Sequence, residues 1–179
     1  MPTGGRMLDE LDLRLLELLR RRPRAGVVEL SREAKVARAT AQARLDRMES
    51  AGIVTGYGPD VDVAAAGFGV TAFVTLEIAQ GGLDQVRAEL EALPGILEAH
   101  VTTGPGDVLC RIAAASHEDL QLSLLALNRS AAVTRSTSVI ALSVLVPPRV
   151  LPLLAAGPLR TASRAPAYRE TSAASGSGA

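Results

Sequence analysis

The chain has 179 residues, enough for one or two domains, with 19 basic and 19 acidic side chains and therefore no net formal charge. One cysteine, Cys110, excludes an internal disulfide and a cysteine-rich zinc site, and the absence of tryptophan beside two Phe and two Tyr leaves few platforms for stacking single-stranded bases. No run of about 18 apolar residues predicts a membrane span, and the opening MPTGGRMLDELD does not read as a signal peptide, so a soluble, cytoplasmic protein is expected.

The charge is unevenly distributed. Residues 1–57 hold 11 Lys+Arg against 8 Asp+Glu, residues 58–146 hold 4 against 10, and the remainder 4 against 1. A modestly basic head beside an acidic body suits a polyanion-binding module joined to one that does not bind it.

In chain order, residues 1–7 read as loose. Asp9 is placed to cap a helix whose inner stripe is Leu8, Leu11, Leu15, Leu16 and Leu19, with Asp12 in its first turn and Arg20 to Arg22 in its last before Pro23. Val28 to Ala34 predicts a short second helix, and Lys35-Val36 leaves room only for a tight turn. A third helix follows over Arg38 to Ala51 and ends at Gly52, with Ile53-Val54 opening a short extended wing. Two helices joined so closely cross steeply, as in helix-turn-helix DNA-binding pairs.

At about 100° per residue, Ala41, Leu45 and Met48 of the third helix face inward. The outward side carries Ala39, Thr40, Ala43, Asp46, Arg47 and Ser50, flanked by Gln42 and Arg44. A small, polar face with arginines at its margins suits the major groove of duplex DNA. Arg38 and Arg44 are candidates for phosphate or guanine edges, Thr40 and Gln42 for bases or backbone, and Ala39 and Ala43 for thymine methyls. Arg47 is also a candidate, and for Arg44 and Arg47 the alternative is pairing with Asp46, Glu49 or Ser50 on the same helix.

The segment TGYGPDVDVAAAGFG, residues 55–69, is rich in Gly and Pro and reads as an extended hinge, with a domain boundary over 58–69. From Val70 the apolar period becomes two: Val70, Ala72, Val74, Leu76 and Ile78 alternate with Thr71, Phe73, Thr75 and Glu77. A helix carrying Leu83, Val86, Leu90 and Leu93 follows, then strands over Ile96 to Thr103 and Val108 to Ala114 joined by the turn Gly104-Pro105-Gly106-Asp107. Ser116, with Asp119 three residues on, starts a further helix, and Ala132 to Val146 supplies a last strand. Cys110 alternates with Val108 and Ile112 and reads as a buried apolar residue. The fold class is α+β: a winged helix-turn-helix over 1–57, and a ferredoxin-like βαββαβ domain over 70–146. With two helices on one sheet face, the other face is left apolar and predicts a homodimer. Residues 147–179 read as a largely disordered tail, apart from a possible helical turn at Val150 to Ala156.

These motifs together resemble the Lrp/AsnC family, the leucine-responsive or feast/famine transcriptional regulators, over residues 8–146. Leu8-Asp9, Asp12, Leu15-Leu16 and Leu19 look like the family's opening L-D-x-x-D-x-x-I-L-x-x-L. Thr40, Arg44, Arg47, Glu49 and Gly52-Ile53-Val54 fit its T-V-x-x-R-x-x-R-L-E-x-x-G-V-I. Leu93 to Glu98 is similar to L-P-x-V-x-E, and Thr103 to Asp107 to T-G-x-x-D. The resemblance implies an effector-binding domain of the RAM or ACT-like type, in which an amino acid binds between dimers near that turn and dimers often assemble into octamers. The implied effector residues are Thr103, Gly104, Pro105, Gly106 and Asp107, with Ser136 and Ser138 standing where the family has threonines. Glycine amides and Asp107 suit the carboxylate and ammonium of a zwitterion, although a plain hairpin turn uses the same residue types. No cofactor or metal is expected. Departures from the family pattern are Lys35 at the usual turn glycine, Ala37 at the usual capping serine, and Asp46 at a position often basic.

An effector-independent architectural DNA-binding protein is the alternative. Haem-pathway decarboxylases share the second architecture, but His100 and His117 stand alone, without the paired acid or metal spacing that catalysis needs, so no enzyme is expected.

Overall fold

The computed structural model describes residues 8–157. They form two compact units: residues up to Pro59 together with those from Pro148, and Asp60–Pro147.

The first unit begins with α1 (Glu10–Arg21), α2 (Val27–Ala34) and α3 (Arg38–Ser50). Asp9 caps α1 in a reciprocal box: its carboxylate accepts the Asp12 N–H at 3.0 Å, and the Asp12 carboxylate accepts the Asp9 N–H at 2.9 Å. Two otherwise orphaned donors are thereby satisfied. Leu15, Leu18, Leu30, Ala34, Ala41, Leu45 and Met48 are buried together as the core of this unit, and Ile53 and Val54 pack against it. The expected wing forms no strand. The N–H groups of Ile53 and Val54 both return to the Met48 carbonyl, at 2.9 and 3.2 Å, and the described sheet lies entirely in the second unit. An extended segment without a partner strand has nowhere to place its backbone hydrogen bonds, so here it closes the helix end instead.

The turn before α3 carries two local costs. Lys35 has φ +57°, the left-handed region that favours glycine, and Ala37 at the N-cap of α3 has no side chain to accept a hydrogen bond. Lys35→Gly and Ala37→Ser are each expected to stabilise the head by about 1 kcal/mol. Slower amide exchange across α2 and α3 in the full chain checks this; unchanged exchange would refute it.

The second unit contains β1 (Val70–Ile78), α4 (Leu83–Glu91), β2 (Ile96–Val101), β3 (Val108–Ala114), α5 (His117–Asn128) and β4 (Val133–Ala141). The sheet is antiparallel in the order β2-β3-β1-β4, which is the split βαβ arrangement predicted from the alternating strand and helix patterns. Ser116 caps α5, its hydroxyl accepting the Asp119 N–H at 3.1 Å. Val74, Leu76, Cys110 and Ile112 of the sheet are buried with Val86 and Leu90 of α4 and Leu120 and Leu127 of α5. Burial pushes the Cys110 thiol up to about 11, so it stays protonated and apolar in character at neutral pH.

Two strands are shorter than the apolar pattern predicts. β2 stops at Val101 rather than Thr103, where Thr102 turns its N–H to the Asp107 carbonyl. β4 covers Val133–Ala141 rather than Ala132 to Val146, because its neighbour β1 begins at Val70 and the pairing ends at Thr71 opposite Ala141. Leu142, Val144 and Leu145 are left exposed.

The sheet face away from α4 and α5 carries Phe73 and Val139, 42 % and 63 % exposed, directly opposite each other across β1 and β4. After β4 a short helix, α6 (Leu151–Ala156), packs beside α1 in the first unit, matching the helical turn expected at Val150 to Ala156. The expected loose start at 1–7 and the tail from 158 lie outside the described residues. Among the described residues no helix is long and apolar enough to cross a membrane, and no group of three or more His, Cys, Asp or Glu could hold a metal.

Candidate functional site

The inward residues of α3 are buried as its periodicity requires: Ala41 and Met48 at 0 % exposure and Leu45 at 4 %. Its opposite side is solvent-facing over Arg38, Ala39, Gln42, Ala43, Asp46 and Ser50, with Thr40 half-buried. The Gln42 amide donates to the Asp46 carboxylate at 2.7 Å, one turn on. The helix thus presents small side chains at its centre, an amide-carboxylate pair on one flank, and Arg38 in its first turn, where no ion pair with a described residue engages it.

Arg44 and Arg47 are disposed differently from the sequence reading, which offered both to DNA with intrahelical pairing as the alternative. The intrahelical pairing does not form: both guanidinium groups turn to carboxylates of α1 and its cap. Arg44 donates to the Asp9 carboxylate and, at 3.2 Å, to the Asp12 carboxylate, while Arg47 donates to the other oxygen of Asp12. The Asp12 side chain is fully buried and that of Arg44 only 18 % exposed, so the guanidinium is spent on holding α3 to the start of α1. Desolvation alone would discourage charge on Asp9, but the Arg44 guanidinium and the Asp12 N–H more than offset it and hold its carboxyl below the usual carboxylate range. Burial also works against charge on Arg44, and the same carboxylates overcome it, holding its pKa above the ordinary arginine value.

Asp9 and Asp12 were legible only as helix-start residues. A signal for the second role does exist: a pair of acids three residues apart on one helix and a pair of arginines three residues apart on another. Each pair spans about one turn, so two such helices in contact bring both pairs into register.

In the second unit, Thr103 to Asp107 form the turn between β2 and β3. Gly104 has φ +124°, and a Cβ on Gly106 would lie 2.1 Å from Thr75 Cγ2, so each glycine is required by the backbone. The Thr102 hydroxyl donates to the Gly106 carbonyl at 2.9 Å. The Asp107 N–H donates to the Leu76 carbonyl at 2.9 Å, and the Asp107 carboxylate accepts the Ile78 N–H at 2.8 Å where the register of β1 shifts. Asp107 therefore already fastens the turn to β1.

Ser136 and Ser138 sit opposite Leu76 and Val74 on β4, which places their side chains on the helix-covered face; the Ser136 hydroxyl donates to Asn128 of α5 at 2.7 Å. The turn instead lies against Thr75, whose side chain points to the other face. The seven residues meet at one end of the sheet but on opposite sides of it, so within one protomer they do not close a single pocket. A separate cavity of about 380 Å³ opens between α4 and β2, lined by Leu83, Val86, Leu90, Ile96 and Val108 with Arg87 and Glu91, and none of the seven lines it. His100 is exposed on β2, 3.8 Å from Glu98, which in turn pairs with Arg111 at 2.9 Å; His117 begins α5.

Residues 8–55 match a family model described as winged helix-turn-helix DNA-binding, and residues 71–151 match the Lrp/AsnC ligand binding domain. The chain is 30 % identical over 141 residues to the HTH-type transcriptional regulator Rv2324 of Mycobacterium tuberculosis, covering 78 % of this chain and 95 % of that one. The chain belongs to the Lrp/AsnC family. It is a DNA-binding transcriptional regulator.

Other comparisons agree. The HTH-type transcriptional regulator Ptr1 of Methanocaldococcus jannaschii is 32 % identical over 104 residues, 58 % of this chain and 70 % of that one. The solved structure of E. coli AsnC superposes with a TM-score of 0.76 at 26 % identity, covering 82 % of this chain and 99 % of that one. Relative to the Lrp/AsnC pattern quoted above, the R-x-x-R pair of α3 and the D-x-x-D pair of α1 are the two halves of one ionic network in this chain.

Proposed function

We propose that this regulator reads duplex DNA through the first half of α3, with Arg38 on phosphate or guanine, Thr40 and Gln42 on polar groups, and Ala39 and Ala43 allowing close approach. The observation that carries this reading is the division of labour along α3: Arg44 and Arg47 are bound to carboxylates, whereas Arg38 and the small residues face outward. Copies pair through the open sheet face around Phe73 and Val139, which gives two recognition helices for a two-fold site.

An amino-acid-like effector modulates this binding at the Thr103–Asp107 turn. The turn exposes backbone amides at Gly104 and a carboxylate at Asp107, and the match to a ligand binding domain supports the assignment. Because Ser136 and Ser138 lie across the sheet from the turn, they would contribute to such a site only from another protomer, which is consistent with binding between subunits.

Calorimetric titration of the twenty amino acids, alongside light scattering on a sizing column, tests the effector. The expected result is heat with one or a few amino acids and a change in assembly size with the same ones. No heat with any of them would leave the effector-independent architectural reading, which the internal use of Asp107 already favours in part.

A further inference from the structure

The ionic network does more than hold two helices together. Asp9 and Asp12 receive four donors: their own reciprocal backbone N–H groups and the guanidinium groups of Arg44 and Arg47. Both arginines lie on the helix that reads DNA, one turn apart, and both are turned toward the start of α1. A cation held by a buried carboxylate is not offered to phosphate, and phosphate contacts bind every sequence alike.

We infer that Asp9 and Asp12 are positioning residues for DNA recognition, which fix the orientation of α3 and withhold Arg44 and Arg47 from the DNA backbone so that binding depends on the outward face. This rests on the reading that α3 enters DNA. The consequence is that removing an acid does not simply weaken binding: it frees an arginine, raises affinity for unrelated sequence, and lowers discrimination.

Asp9→Asn is the sharpest variant, because asparagine remains a good N-cap and accepts the Asp12 N–H, while Arg44 loses its nearer carboxylate and keeps only the 3.2 Å contact to Asp12, which Arg47 shares. The full chain is titrated against a duplex recovered by selection from a random pool and against a shuffled duplex, each over a range of salt concentrations. For Asp9→Asn, affinity for the shuffled duplex is expected to rise about threefold to tenfold at low salt. Its log–log salt slope steepens by about one, the value of one added phosphate contact. The ratio of selected to shuffled affinity is expected to fall about tenfold. For Arg44→Gln the slope on either duplex stays at the wild-type value, and this variant is the test if Asp9→Asn fails to fold.

A purely structural role for the acids would lower both affinities without steepening the slope, and that result overturns the inference. So does an Arg44→Gln slope shallower by about one, which would mean that Arg44 leaves the network and binds phosphate in the complex. Arg38→Ala separates this from the underlying reading: a shallower slope there with Asp9→Asn unchanged rejects the positioning role alone, while no effect of Arg38→Ala on affinity or slope rejects DNA entry by α3 and the inference with it.

Discussion

Asp12→Ala is expected to cost the helical head about 3 kcal/mol, more than any other single polar substitution there. The substitution removes half of the capping box, worth about 1 kcal/mol, and the partner of two arginines. Removing one side of a fully buried ion pair costs about 3–5 kcal/mol, but Arg47 is 40 % exposed and recovers part of its hydration, which brings the ionic share down to about 2 kcal/mol. Asp12→Asn keeps an acceptor for the Asp9 N–H and should lose about half as much. The measurement is amide exchange across α1 and α3 in the full chain, since two compact units need not unfold together. A loss below about 1 kcal/mol would show that the network contributes no more than an exposed ion pair.

The same network sets the acid limit of the head. Asp9 has a depressed carboxyl pKa in the folded state, so its contribution is complete above the usual carboxylate range and is lost as pH falls through the lowered folded value. Protection of the α1 amides should therefore be level at neutral pH and fall once pH drops below the usual carboxylate range, and Asp9→Asn should flatten that fall.

Gly106→Val has the second large expected effect, about 2–3 kcal/mol on the ferredoxin-like unit. The Cβ would stand 2.1 Å from Thr75 Cγ2, on a β-branched side chain with little rotamer freedom, and the larger valine adds to the overlap. Relief requires the turn to lift from β1, which breaks the Asp107 hydrogen bonds to Leu76 and Ile78. Exchange of the Ile78 and Asp107 amides should rise sharply, and any heat of amino-acid binding should vanish in the same variant. Unchanged exchange would mean that the turn is not docked as described.

Most of the architecture was legible because it is written in local periods. The alternation from Val70 to Ile78, the Ser116–Asp119 cap and the glycine turn at 104–106 each specify their element within a few residues. The length of β4 was not legible, because the apolar run through Val146 continues past the point where β1 supplies a partner. The winged helix-turn-helix itself was legible, but the extended form expected at Ile53-Val54 was not met for the same reason: these residues have strand-forming side chains but no neighbouring strand.

The candidate site divides along the same line. A helical wheel places Arg44 and Arg47 on the margin of the outward face, and the angle is right; it cannot register that carboxylates 32 and 35 residues earlier lie across that margin. For Ser136 and Ser138 the parity was available, since they occupy alternate positions to Thr137 and Val139, but which parity faces the helices depends on the register with β1.

The central claim is that the outward face of α3 meets DNA, and Ala43→Glu tests it most directly. Ala43 is exposed at the middle of that face, and glutamate is a good helix former, so the head should fold unchanged while a negative charge is set against phosphates and base edges. Binding of the selected duplex should weaken about 100-fold, as like charges brought together at an interface require. Affinity equal to the wild type would contradict the claim and move the DNA-reading surface off α3.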